Sequence, residues 1–88
     1  MSVLCNELDT EFVPRSGLFL VQAIGDVVSL ESKLPDSDDW VVIGTLGSNT
    51  VSNLPVRYNV HNVVDGIVYR FKYRGQGRSH LVKVRADQ

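Results

Sequence analysis

Between Ile67 and Arg74 the chain alternates strictly, with Ile67, Tyr69, Phe71 and Tyr73 on one parity and Val68, Arg70, Lys72 and Arg74 on the other. A period of two places these sets on opposite faces of a β-strand. The aromatics are therefore expected in a core and the cations on a solvated or interface face. Residues 27–34 alternate less cleanly, with Val28, Leu30 and Leu34 facing one way and Val27, Ser29, Glu31 and Lys33 the other. Residues 18–24 (LFLVQAI) and 81–85 (LVKVR) are further short β-rich runs. Residues 40–46 are apolar on both parities, Trp40, Val42 and Leu46 against Val41 and Ile43, which predicts a central strand covered on both faces and a buried Trp40. Pro55 starts or flanks the remaining run, with Val56, Tyr58 and Val60 inward and Arg57, Asn59 and His61 outward.

Turn chemistry punctuates these runs at Gly25-Asp26, 35–39, 47–50, Asp65-Gly66 and 75–79. No stretch sustains a helical apolar period over two turns. The spacing predicts an all-β fold, a small antiparallel β-sandwich or jelly-roll-like barrel of about six to eight strands. The length leaves no room for βαβ crossovers. Residues 17–88 are expected to form the single sandwich domain, and residues 1–16 an N-terminal arm or edge segment. Within that lead, residues 4–8 suit a helical turn, an arm or an edge strand equally.

Composition supports one small globular domain. The 88 residues are 43% hydrophobic and 22% charged, with a single cysteine. One cysteine forbids an internal disulfide. No apolar run reaches the ~20 residues of a membrane helix, and the acidic N-terminus lacks the basic region of a signal peptide. Charge changes the picture more. Residues 1–44 hold eight acids and two bases, a net of −6, whereas residues 45–88 hold two acids and seven bases, a net of +5. Three fates fit that split: neighbouring strands neutralise each other, opposite faces meet between subunits, or the basic half meets an anionic partner. The overall charge of −1 argues against a dedicated nucleic-acid binder.

The search for chemistry finds no catalytic pattern. Asp36, Asp38 and Asp39 lack the glycine and distal glutamate of a calcium loop. His61 and His80 have no nucleophile or acid at a triad or metal spacing. Cys5 reads as a tucked thiol rather than a nucleophile. Residues 75–78 (GQGR) read as a hairpin turn flanked by bases. No catalytic residue, metal or cofactor is expected.

Residues 25–33 (GDVVSLESK), followed by 38–46 (DDWVVIGTL) and 55–63 (PVRYNVHNV), resemble the strand-and-turn pattern of small β-sandwich virion accessory proteins of tailed bacteriophages, which serve as capsid decoration (cement), head-fibre or tail proteins. The likeness extends over residues 17–84. It carries no catalytic signature, and the acidic lead and arginine-rich last strand depart from it. It implies a non-enzymatic structural protein, a homo-oligomer acting in the virion after assembly in the host cytoplasm. Its partner is then the major capsid protein or another virion protein; the charge split points to Arg57, Arg70, Lys72, Arg74 and Arg78 as the interface. Two alternatives stand beside it. One is a tail, neck or fibre module touching a glycan through Trp40 or Tyr58. The other is a small-barrel nucleic-acid binder using Arg70, Lys72, Arg74, Arg78 and Arg85.

Overall fold

A computed structural model describes residues 2–15, 17–55, 66–77 and 81–88. Seven strands are found among them: β1 (Val3–Cys5), β2 (Leu18–Ile24), β3 (Val28–Lys33), β4 (Val41–Leu46), β5 (Thr50–Pro55), β6 (Val68–Tyr73) and β7 (Lys83–Asp87). All pairings are antiparallel. They build a four-stranded sheet in the order β1-β7-β2-β5 and a three-stranded sheet in the order β4-β3-β6. The all-β class and the two-layer sandwich predicted from the alternation are what the chain adopts. The expected strand at 56–61, with Arg57, Tyr58 and His61, lies outside the described residues, as do Arg78 and His80.

Period-two patterning fills the space between the layers. β2 sends Phe19, Val21 and Ala23 inward, β3 sends Val28 and Leu30, β6 sends Tyr69 and Phe71, and β7 sends Val84 and Ala86. The aromatics of β6 are thus core and not a stacking platform. Between β2 and β3 the chain turns at Gly25, whose φ of 105° only glycine adopts easily. A Cβ there would lie 2.5 Å from the Leu81 carbonyl oxygen.

The N-terminal lead packs onto its own chain. β1 is an edge strand against β7, and the segment beyond it crosses to the other sheet. There the Asp9 N–H donates to the Phe71 carbonyl at 2.9 Å. Phe12 and Tyr69 exchange both backbone hydrogen bonds, at 2.9 and 2.8 Å. The Phe12 ring then enters the core between the layers, 6.1 Å from Phe19, 5.8 Å from Tyr69 and 5.7 Å from Phe71. Of the three conformations that suit residues 4–8, the chain uses the edge strand, ending at Cys5.

Two expectations fail for physical reasons. Residues 41–46 are not a central strand: β4 pairs with β3 alone and is exposed on both faces, Val41 at 59%, so its two-sided apolarity marks an open edge. Trp40 precedes the strand and is not core; it lies half-buried on the outer face of the three-stranded sheet beneath Arg70 and Lys33. Pro55, expected to start or flank the run at 56–61, is the last residue of β5. The polar run 50–55 forms β5 because six consecutive residues find partners on β2, a tertiary gain that outweighs weak local propensity.

The surface position of Trp40 predicts a mild truncation phenotype. Trp40→Ala loses a cation–π contact and part of a hydrophobic face, about 1–2 kcal/mol, against about 3–5 kcal/mol for a core tryptophan. Chemical denaturation followed by circular dichroism should show a folded variant with a slightly lowered midpoint; an unfolded variant would contradict the assignment.

Candidate docking surfaces

Two surfaces stand out once the core is removed from consideration. The first is the outer face of the three-stranded sheet. β3 is its central strand, and alternation turns Ser29, Glu31 and Lys33 outward while β6 turns Arg70, Lys72 and Arg74 outward beside them. Register sets Glu31 directly opposite Arg70 and Ser29 opposite Lys72. Glu31 is nevertheless only 4% exposed, because the arginines fold over it. Arg70 donates from Nε to Glu31 Oε1 at 2.7 Å, and Arg74 donates from Nη2 to Glu31 Oε2. Arg74 Nε also donates to Ser29 Oγ at 2.9 Å. One buried carboxylate therefore fixes two guanidiniums through charge-assisted hydrogen bonds. The Arg70 guanidinium in turn covers the Trp40 ring at 4.1 Å, with Lys33 Nζ 5.6 Å from the same ring.

The charge split along the sequence is thereby resolved within one chain at this face. Acids of the first half, Glu31 and Asp9, meet bases of the second, Arg70, Arg74 and Lys72, the last pair at 3.3 Å and largely in water. Neutralisation is incomplete. Among the described residues Lys33, Arg70, Lys72 and Arg74 face two carboxylates, Glu31 and Asp9, so a cationic band remains, with the turn of Asp36, Asp38 and Asp39 at its end. That turn is held by its own side chains: Lys33 Nζ donates to the Ser37 carbonyl and the Asp39 N–H to Ser37 Oγ. Of the five predicted interface residues, the structure brings together Arg70, Lys72 and Arg74 on this face, while Arg57 and Arg78 lie outside the described residues.

The second surface was not anticipated. β4 and β5 are the facing edges of the two sheets, joined by a tight turn in which Asn49 takes a left-handed φ of 59°. A cleft of about 400 Å³ descends to Phe19, Leu30 and Tyr69, with Ile43 and Leu46 on one wall and Ser52 and Leu54 on the other. The rim exposes Val41, Val42, Ile43 and Val51. A sequence signal for it exists: residues 40–56 contain no charged side chain, in a chain that is 22% charged.

The remaining candidates have structural explanations. Cys5 is buried and its thiol donates to the Glu7 carbonyl at 3.1 Å. Burial pushes its pKa above the usual thiol value, which keeps the group protonated and a poor nucleophile. Tyr73 donates to Asp26 Oδ2 at 3.0 Å; partial desolvation, then that carboxylate, raises its pKa. Arg85 pairs with Asp87 at 2.7 Å. Among the described residues no group of three or more His, Cys, Asp or Glu side chains could hold a metal ion.

The Glu31 arrangement makes a direct prediction. Glu31→Gln keeps the shape but weakens two charge-assisted hydrogen bonds, one to a half-exposed arginine, and should cost about 1–3 kcal/mol. Urea unfolding should report it as a lowered midpoint at unchanged slope; a wild-type midpoint would show that the buried carboxylate contributes nothing. Compared with protein-family models, with curated proteins and with solved structures, the chain matches none of them.

Proposed function

We propose that this chain is a non-enzymatic structural subunit of a bacteriophage virion, a capsid decoration or cement protein that binds the capsid surface and stabilises it through subunit contacts. The observation that carries the reading is the pinned cationic band on the outer face of the three-stranded sheet. Its arginines are immobilised on Glu31, so little side-chain entropy is lost when a partner docks. Its two carboxylates leave net positive charge, and the acidic turn at one end gives the face a polarity that fixes orientation as well as contact. An acidic surface on the major capsid protein, or on another virion protein, is the complementary partner. The resemblance of residues 17–84 to virion accessory sandwiches supports the same assignment.

A second reading, a tail, neck or fibre module touching a glycan, draws support from the half-exposed Trp40 on the same face, because sugar rings stack on aromatic surfaces. The nucleic-acid reading gains no such support. The β6 aromatics that could stack on bases, Tyr69 and Phe71, are buried in the core.

The test uses Lys33 and Lys72, which contribute charge without holding Glu31. Lys33→Glu with Lys72→Glu should leave the circular dichroism spectrum unchanged and abolish co-sedimentation with purified particles that lack the native subunit. Undiminished co-sedimentation would remove the cationic band from the attachment surface. Arg70→Glu is unsuitable, since it would set a second carboxylate against the buried Glu31.

A further inference from the structure

Three of the four sheet edges carry a feature that discourages another strand from pairing there. β1 is three residues long with an irregular register. β6 is covered by residues 9–12 and carries Arg70 and Lys72. β4 is bulged at Ile43, since Leu30 pairs with Gly44 but Glu31 with Val42. Short length, cover, charge and bulges are the recognised means of blunting an edge. Among the described residues β5 has none of them. It is six residues long, keeps a regular register against β2 throughout, carries no charge, and has proline only at its last position. Val51 on its outer side is 75% exposed. Its inner side lines the open cleft through Ser52 and Leu54.

We propose that β5 pairs antiparallel with β5 of a second copy of this chain, forming a two-fold dimer that continues the four-stranded sheet across the interface. The reading deepens the assembly function by naming where copies meet, and it does not use the cationic attachment face. Three observations select this occupant. First, residues opposite each other in an antiparallel pair point to the same face, which restricts the register. Pro55 has no N–H to donate, which confines pairing to Thr50 through Leu54. The centred register then places Ser52 on the two-fold axis, Val51 opposite Asn53 of the second copy, and Thr50 opposite Leu54. Second, residues 40–56 hold no charge, so the two copies meet without like-charge contact or a stranded ion. A charged partner segment would find no counter-ion along this edge. Third, a two-fold axis perpendicular to the sheet brings β4 towards its own copy in the second layer. The two clefts then face each other, and the exposed Val41 and Ile43 become a shared interior. An isologous contact of this kind closes after two copies and does not propagate.

The experiment is a charge-swap pair on the full chain. Val51 and Asn53 point outward, opposite Gln22 and Leu20 of β2, so charge there is tolerated by the isolated fold. The variant Val51→Lys/Asn53→Lys sets lysine against lysine twice across the axis; Val51→Glu/Asn53→Glu does the same with carboxylates. Sedimentation velocity should give twice the chain mass for the wild type, the single-chain mass for each variant alone, and the doubled mass again for their equimolar mixture. Circular dichroism should show both variants folded. A monomeric wild type, variants that stay dimeric, or a mixture that stays monomeric would each overturn the β5 contact. None of these results alters particle binding through Lys33 and Lys72, so the two readings fail separately.

Discussion

One aromatic contact decides the shape of this molecule. Phe12 belongs to no strand, yet its ring touches Phe19 of one sheet and Tyr69 and Phe71 of the other. Its backbone is tied to Tyr69 in both directions. The lead segment thus begins as an edge strand of one sheet and finishes on the edge of the other, lacing that side of the sandwich shut. A thin core gains much from such a wedge, because a domain of this size buries only about two-thirds of its unfolded surface. On the opposite side, among the described residues, the short β4–β5 turn joins the layers, and a cleft lies between the two edges.

Electrostatics adds a second asymmetry, between a pinned cationic face and a neutral rim. Glu31 draws Arg70 and Arg74 over itself, and Arg70 in turn covers Trp40. Removing a carboxylate from water is costly, and two guanidiniums with a serine nearby offset that cost. The result is a rigid charged surface on the outside of one sheet. The rim of β4 and β5 is the reverse, apolar and charge-free, and it stands at the edge of both sheets. Contacts that need orientation and contacts that need hydrophobic burial therefore have separate places on the fold.

Much of the fold was legible in the sequence. Residues 67–74 carry a period-two pattern, which fits a strand buried on one face, and residues 18–24 are a β-rich run bounded by Gly17 and Gly25. β4 is ambiguous in the sequence because apolar residues on both parities describe a central strand and an open edge equally well; only the pairing distinguishes them. β5 was missed because Ser52 and Asn53 look like turn formers, and their strand state depends on β2, some thirty residues away in sequence. The burial of Glu31 is illegible for the same reason, since its cover comes from Arg70 across the sheet. Phe12 follows no periodicity at all. The neutral rim, by contrast, was open to reading, as the absence of charge from 40 to 56 needs no structure to be seen.

The central claim is that Phe12 closes one side of the sandwich. Urea unfolding of Phe12→Ala tests it most directly. A ring wedged between both layers should cost about 3–5 kcal/mol when truncated, most of the stability expected of a domain this small. A midpoint within error of the wild type would mean that the lead segment is not part of the core, and the account of one closed and one open side would fall with it.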